Sequence, residues 1–266
     1  IDPAVIGAGV SGLIAARTLQ DHGCEVAVFD KGRGLGGRAA TRRADPGLSF
    51  DHGAQYFTAR DPCFARYVEA WTEQGIVAEW NGRIVQIEGG YVRPMTSQPR
   101  RHVGVPGMTA IARHLAADLS LHLQIRIVRI ARAGHLWELT DAAGQVQGPF
   151  DHVIVSLPAP QAAELLEPHP FAAEARAVPM TPCWAVLAAF ERRIEVEWDG
   201  AFVHASSLAW VARNSSKPGR ACSADCWVLH ASPAWSAAHQ DHSREAVAAA
   251  LLGEFAGMTP VPAPPP

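Results

Sequence analysis

Lysine is nearly absent from this chain of 266 residues, where it occurs only as Lys31 and Lys217 and arginine supplies the other basic side chains. The formal net charge is −3, so the composition gives no reason to expect a nucleic acid or an acidic membrane as a partner. No run of about 20 apolar residues occurs, and no charged and then apolar leader precedes the first strand pattern. A membrane span and a secretion signal are therefore not expected.

Cysteine is sparse as well. The five cysteines are odd in number and scattered along the chain: Cys24, Cys63, Cys183, Cys222 and Cys226. This usage predicts a reduced, cytoplasmic protein. The spacing of Cys222 and Cys226 is typical of neither a redox pair nor a zinc knuckle, and His239 with His242 has no evident third ligand, so no metal site is expected.

A glycine cluster lies near the beginning of the chain, where an apolar strand turns directly into an alanine-rich helix. Gly7 permits the tight turn, Gly9 lets backbone N–H groups approach a pyrophosphate, and Gly12 lets the helix pack on the strand. The diphosphate of a dinucleotide would bind at the positive end of this helix. We expect contacts from these glycines and from Val10 and Ser11.

An acidic residue follows at the expected distance. The strand pattern at residues 25–29 ends in Asp30, roughly 20 residues after Gly12, which is the spacing at which a carboxylate reaches the adenosine ribose hydroxyls. An acid at this position argues against a 2′-phosphate on the bound dinucleotide.

A second glycine-rich cluster comes directly after Asp30, where a nicotinamide dehydrogenase would be expected to enter its next helix. Its Gly-Gly-Arg stretch resembles the loop of the flavin-containing amine oxidase superfamily, which follows the diphosphate and helps to seat a buried FAD. Glycines admit close backbone approach, and arginine supplies planar charged donors for phosphate. The expected FAD contacts in this cluster are Lys31, Arg33, Gly36, Gly37 and Arg38.

The segment at residues 50–60 narrows the resemblance. Its Gly-Ala-Gln-Tyr-Phe stretch is similar to that of the renalases, a flavoenzyme branch of the same superfamily, and the likeness to bacterial renalases extends over nearly the whole chain. The other matching pieces are residues 103–108, 151–155, 158–162 and 182–186.

The renalase resemblance implies a function. The expected substrate is an isomeric dihydronicotinamide, the 2- or 6-dihydro form of NAD(P), oxidised with formation of hydrogen peroxide from dioxygen. No acid or base is strictly required, because hydride leaves from carbon, so no catalytic residue is assigned. The implied flavin and adenine contacts include Ala54, Gln55 and Val128, and the implied nicotinamide pocket is lined by Gln55, Tyr56, Phe57, Thr58, Ala59, Arg93 and Trp184.

Helical and strand patterns alternate along the chain, which predicts an α/β fold. We expect a discontinuous Rossmann-like FAD-binding domain at residues 1–60 and 102–160, and a mixed-sheet substrate domain at 61–101 and 161–260. A proline-rich end follows at 261–266. The predicted helices are 61–74, one beginning at 108, and 243–255; the predicted strands are 84–87, 91–93, 121–130, 135–140, 150–156, 180–191 and 226–231.

Three alternatives to this interpretation are open. The first is amine oxidation. Amine oxidases of the superfamily place a lysine beside the flavin on a substrate-domain strand, and this chain has Trp184 at that position. Because Lys217 lies in a predicted loop instead, the sequence favours the renalase reaction over amine oxidation. A nicotinamide-only dehydrogenase shares the first fingerprint but not the Gly-Gly-Arg loop. The third alternative is a truncated enzyme or a non-catalytic FAD-binding protein. It is open because the C-terminal flavin motif that the resemblance implies does not appear in residues 200–266.

Overall fold

The computed structural model describes residues 2–44, 47–220 and 222–261. The chain divides into a first unit, residues 1–40 with 111–180, and a second unit, residues 41–110 with 181–266. The predicted domain boundaries differ from these, since 41–60 and 102–110 lie in the second unit and 161–180 in the first. Most of the predicted proline-rich end, 262–266, lies outside the described residues.

The helices and strands alternate as the sequence pattern predicts. The helices are α1 (Val10–Asp21), α2 (Pro62–Glu73), α3 (Thr109–Leu115), α4 (Ala159–Leu165), α5 (Phe171–Arg176), α6 (Pro233–Ala238) and α7 (Arg244–Ala256). The strands are β1 (Pro3–Ile6), β2 (Ala27–Asp30), β3 (Thr41–Ala44), β4 (Leu48–Asp51), β5 (Val77–Glu79), β6 (Ile84–Glu88), β7 (Tyr91–Pro94), β8 (His102–Gly104), β9 (Ser120–Leu123), β10 (Ile127–Ala133), β11 (Leu136–Asp141), β12 (Val146–Phe150), β13 (His152–Val155), β14 (Ala185–Phe190), β15 (Gly200–His204), β16 (Leu208–Arg213) and β17 (Asp225–Ala231). Short 3-10 helices lie at Gly37–Ala39 and Asn214–Ser216.

The first unit is built on a parallel sheet with the strand order β13-β1-β2-β9. Its inner strand β1 is buried along its whole length, as expected for a parallel strand covered on both faces. A three-stranded antiparallel sheet, β10-β11-β12, completes the unit. Ile6 and Phe29 from the first sheet share one hydrophobic core with Leu139 of β11 and Leu165 of α4.

The second unit is built on a six-stranded mixed sheet with the order β14-β17-β16-β15-β6-β7. β15 and β6 run parallel, and the other neighbours are antiparallel. Helix α7 buries Val247, Leu251 and Phe255 in a core that also contains Trp227 of β17. The short pairs β3-β4 and β5-β8 belong to this unit as well.

Most of the predicted elements are confirmed, since α1, α2, α3 and α7 lie close to their predicted positions. Two predictions are wrong. The spacing of the aromatic residues in 64–71 predicts that Tyr67 lies on the buried face of α2, but it is 52% exposed. The predicted strand 121–130 is two strands in different sheets, because Gln124 has a positive φ of 61° and donates its N–H to Gly32, which ends β9.

Replacing Leu251 with alanine tests the core beneath the six-stranded sheet. Leu251 is fully buried, so we expect Leu251→Ala to lower the free energy of unfolding by about 2–5 kcal/mol, through lost burial and a cavity. Urea titration followed by tryptophan fluorescence measures this change. The exposed neighbour Ala250, changed to serine, is the control and should stay within about 0.5 kcal/mol of the wild type. Equal stability of Leu251→Ala and wild type would contradict the packing described.

Candidate functional site

The first glycine cluster forms a tight turn between β1 and α1. Gly7 has a φ of 114°, a conformation that favours glycine, and its N–H donates to Phe29 of β2 at 2.8 Å. A side chain at Gly12 would collide with the carbonyl of Gly7, whereas one at Gly9 would meet no atom within 4 Å. Gly12 is therefore required for helix packing, and the space in front of Gly9 is open for a ligand.

The second glycine cluster lies directly against the first. The Gly36 N–H donates to the Ala8 carbonyl at 2.9 Å, and Gly9 and Gly36 form a parallel bridge. Gly36 and Gly37 both have positive φ, 99° and 53°. The structure thus brings Gly36 and Gly37 against Gly9 at the beginning of α1.

Asp30 joins both clusters through its carboxylate. Oδ2 accepts from the Ala8 N–H and Oδ1 from the Gly32 N–H, each at 2.6 Å. An ionised carboxylate has about four acceptor positions, so both oxygens retain the capacity for a further hydrogen bond. This arrangement is compatible with the predicted contact to ribose hydroxyls.

The remaining predicted contacts of the first unit lie at its surface. Ser11, Lys31, Arg33 and Arg38 are exposed, and Val10 is half-buried. Helix α1 begins at the cap residue Gly9, and no side chain caps it. The N–H groups of its first turn therefore have no side-chain capping partner of their own.

Val128 occupies an irregular position in β10. The pairing with β11 passes from Ile127↔Asp141 to Arg129↔Thr140, so Val128 is an unpaired bulge residue and is 48% exposed. Bulges release backbone groups from the ladder. This irregularity is compatible with the adenine contact that the resemblance implies.

In the second unit, the buried carboxylate of Asp51 is the centre of a polar network. Oδ1 accepts from the Thr41 hydroxyl at 2.7 Å and from the Met108 N–H at 2.9 Å. Oδ2 accepts from Arg220 at 2.5 Å and from Lys217 at 3.4 Å. One carboxylate thus joins the end of β4 to β3, to the turn before α3 and to the loop at 217–220.

Gln55 is held in the same network. Its amide nitrogen donates to the carbonyls of Asp51 and Gly53, and its Oε1 accepts from Lys217 at 3.0 Å. The side chain is buried. Each polar atom of this predicted ligand-binding side chain therefore has a partner inside the second unit.

Burial and charge oppose each other in the pKa values of the network. Burial alone would raise the pKa of Asp51, but the charges of Lys217 and Arg220 outweigh it and lower that pKa below its usual value. Burial lowers the pKa of Lys217 to about 8, although the attraction of Asp51 opposes the change. Lys217 is therefore a buried cation at pH 7 whose lowered pKa lets it lose its proton at mildly alkaline pH.

Lys217 lies in a loop, as predicted, and the structure adds that it is buried. A loop lysine was expected, and Lys217 does follow a short 3-10 helix, but its side chain is fully buried between Asp51 and Gln55. Only its rarity, as one of two lysines among 23 basic residues, distinguished it in the sequence. The sequence did not single out Arg220, because its partner Asp51 is distant in the chain.

The aromatic residues after Gln55 lie half-buried. Tyr56 packs against Trp80 and Trp210 with ring centroids 6.3 and 5.5 Å apart, and Phe57 packs against His102 at 5.6 Å. The backbone of Phe57 exchanges two hydrogen bonds with His102. Thr58 and Ala59 continue this run and are also half-buried.

Arg93 and Trp184, the other predicted pocket residues, have contacts elsewhere. Arg93 is exposed on β7 and forms an ion pair with Glu88 at 3.8 Å. The indole of Trp184 donates to the His239 carbonyl at 3.0 Å, and the backbone N–H of Trp184 donates to the Ser236 hydroxyl. These contacts tie the beginning of β14 to α6 and do not involve residues 55–59.

Neutral histidines lie around the Asp51 network. The Nε2 N–H of His230 donates to the His52 carbonyl at 2.9 Å. Burial lowers the pKa of both rings, which favours their uncharged forms. The His52 Nδ1 atom is buried without a hydrogen-bond partner. Neither ring is a strong base in this setting.

Neither a metal centre nor a membrane-spanning helix is found in the described part of the chain. Within the described ranges, no three His, Cys, Asp or Glu side chains come together as metal ligands would. Among the helices that the structure describes, none has both the length and the apolar character needed to cross a bilayer.

Comparison with known families gives two matches. The profile described as "NAD(P)-binding Rossmann-like domain" matches residues 5–71, and the one described as "Flavin containing amine oxidoreductase" matches residues 85–266. The second match covers more than half of the chain.

Solved structures share the fold at low sequence identity. A protein from Exiguobacterium sp. 255-15, to which protoporphyrinogen oxidase activity is ascribed, has a TM-score of 0.79 at 14% identity, over 97% of this chain and 82% of its own. A putrescine oxidase bound to putrescine has a TM-score of 0.74 at 14% identity, over 97% and 81%. The PF1083 protein from Pyrococcus furiosus has a TM-score of 0.66 at 11% identity, over 90% and 84%. These matches confirm the predicted α/β class with a Rossmann-like domain and a mixed-sheet second domain.

The open space at Gly9 leads to a test of FAD binding. A methyl group there meets no protein atom, so we expect Gly9→Ala to fold normally while its side chain blocks close approach of a diphosphate. The dissociation constant for FAD should rise by roughly tenfold, or about 1.4 kcal/mol. Fluorescence titration of the apoprotein with FAD measures it. Gly253→Ala, where a methyl group also meets no atom within 4 Å, is the matched control and should bind FAD as the wild type does.

The lowered pKa of Lys217 leads to a test of pH-dependent stability. The pKa is 10.5 ordinarily and about 8 in the folded protein. Between these values the unfolded chain binds more protons, so the free energy of unfolding rises with pH, by up to roughly 3 kcal/mol from this group. Lys217→Met should remove this rise. Urea titrations of both proteins from pH 7.5 to 10 measure the difference in slope, and parallel slopes would contradict the assignment.

Proposed function

Since the chain belongs to the flavin-containing amine oxidoreductase family and its cofactor is FAD, we propose that it is a renalase-like oxidase of isomeric dihydronicotinamides. Its substrates would be the 2- or 6-dihydro forms of NAD(P), and its products NAD(P)⁺ and hydrogen peroxide. When bound, FAD would supply an acceptor for the substrate's hydride and would pass the two electrons to dioxygen. The resemblance of residues 50–60 to the renalases supports this choice within the family.

The observation that carries the proposal is the chemical character of residues 55–59. The amide of Gln55 is used internally, and the following side chains are aromatic or small and half-buried. Such a run offers shape and stacking but no carboxylate, imidazole or amine. A dihydronicotinamide fits it, because hydride leaves from carbon and the ring becomes aromatic without a proton transfer in that step.

The residues of the first unit would hold the cofactor. The N–H groups at the beginning of α1 and the clustered glycines would bind the diphosphate, and Asp30 the ribose. The unpaired backbone at Val128 would meet the adenine. Arg33 and Arg38 would supply charged donors from the second glycine loop.

A cytoplasmic location is part of the proposal. All five cysteines are free thiols in the structure, which is compatible with a reducing compartment. Small molecules and dioxygen would be the only partners that the proposed reaction needs.

Amine oxidation is the rival function, and one observation favours it. Lys217 is a buried amine with a pKa of about 8 in the second unit, whereas the sequence interpretation treated it only as a loop lysine. However, it follows a 3-10 helix instead of lying on a strand, and its ammonium is bound to Asp51 and Gln55. These bonds give Lys217 a structural role, which a lysine that takes part in amine oxidation beside the flavin would not need.

The two functions differ in which compound bleaches the flavin. We expect 6-dihydro-NAD to reduce the FAD-loaded protein under anaerobic conditions, with NAD⁺ as the product, and readmitted dioxygen to restore the spectrum with one hydrogen peroxide per turnover. Benzylamine and a polyamine should leave the spectrum unchanged over the same time. Stopped-flow absorbance and a peroxide assay measure both. Rapid bleaching by the amines alone would overturn the proposed substrate in favour of amine oxidation.

A further inference from the structure

The ammonium of Lys217 uses its full donor capacity inside the second unit. Its Nζ lies 3.0 Å from Gln55 Oε1, 3.3 Å from Asn214 Oδ1 and 3.4 Å from Asp51 Oδ2. A protonated lysine has three N–H donors, so each can be assigned to one of these acceptors. No polar contact of this side chain depends on solvent, since it is fully buried.

The contact with Gln55 determines the orientation of that amide. Its Nε2 donates to the backbone carbonyls of Asp51 and Gly53, and its Oε1 faces the ammonium. Reversing the amide would place an NH₂ group against Lys217 and an oxygen against two carbonyls. Lys217 therefore holds Gln55 in the one orientation that closes the turn from Asp51 to Gln55.

We propose that Lys217 is a positioning residue, which fixes the conformation of residues 53–59 through Gln55 and makes substrate binding by this segment depend on its charge. Within this segment, Gln55 is held by Lys217, and Phe57 is held by its two backbone hydrogen bonds with His102. The substrate part of this inference rests on the proposed function, but the conformational part does not.

Several groups face the Lys217 ammonium and set its protonation. Asp51 comes from β4, Arg220 from the same loop as Lys217, and His230 from β17, with the Trp80 ring 5.6 Å from Nζ. Burial is the largest cause of the lowered pKa, which is about 8. A hydrogen bond from a charged donor is roughly twice as strong as one from a neutral donor. The hold on Gln55 should therefore weaken as the pH rises through 8.

Hydrogen exchange of the FAD-loaded protein tests the conformational part. In Lys217→Met at pH 7 we expect the protection factors of amides in residues 53–59 to fall by roughly tenfold, as for the loss of one buried hydrogen bond to a charged group. Arg213→Met is the matched control, because Arg213 is also a buried cation of the second unit but is bound to Asp225 and to the carbonyl of Ile194. It should leave these amides protected.

The pH dependence of hydrogen exchange tests whether the conformation of residues 53–59 depends on the charge of Lys217. From pH 7 to 9.5, after correction for intrinsic exchange, the protection of residues 53–59 should fall in the wild type and stay constant in Lys217→Arg, whose guanidinium remains charged. Unchanged protection in Lys217→Met, or an equal loss in Arg213→Met, would overturn the proposal. If either Lys217→Met or Lys217→Arg fails to fold, the remaining variant still tests the proposal.

Substrate binding provides the second readout. The dissociation constant of 6-dihydro-NAD, from the concentration dependence of flavin bleaching, should rise by roughly tenfold in Lys217→Met, with a smaller change in the limiting rate. It should rise with pH in the wild type but not in Lys217→Arg. If no dihydronicotinamide bleaches the wild type, the proposed function fails, while the exchange data decide the role of Lys217 independently. An unchanged dissociation constant in a well-folded Lys217→Met would overturn the substrate part alone.

Discussion

The second unit depends on the compensation of one buried charge, the carboxylate of Asp51. A carboxylate removed from water is very unfavourable unless it is paired and hydrogen-bonded. Asp51 has Arg220 and Lys217 as ionic partners and accepts further bonds from Thr41 and Met108. Since these groups come from separate parts of the chain, satisfying the charge requires them to meet in one arrangement. The run that begins at Gln55 is a direct continuation of that arrangement.

The first unit depends instead on close backbone approach. Two glycine clusters lie in contact, and Asp30 accepts N–H groups from both. The geometry of this proposed site is set largely by residues that are close in sequence, because β1, the glycine turn and α1 follow one another directly. The family match and the residue pattern agree in this region, and both identify a dinucleotide-binding arrangement.

The difference between the two units explains what the sequence could predict. Spacing along the chain is enough for α1, α7 and the glycine turn, since each depends on neighbours in sequence. It is not enough for the break at Gln124 or for the burial of Lys217. The partner of Lys217, Asp51, lies 166 residues away, and no local pattern encodes such a pairing. The contacts of Trp184 with α6 were hidden for the same reason.

The geometry at Gly9 has a consequence for the order of folding and cofactor loading. The turn that precedes α1 is closed by protein groups alone: the Gly36 N–H on Ala8, the Asp30 carboxylate and the packing of Gly12. A ligand that enters the open space at Gly9 does not have to order this backbone, so little conformational entropy is lost on its arrival. The turn that we propose to bind the diphosphate is therefore preorganised, and FAD would bind to it after it has folded.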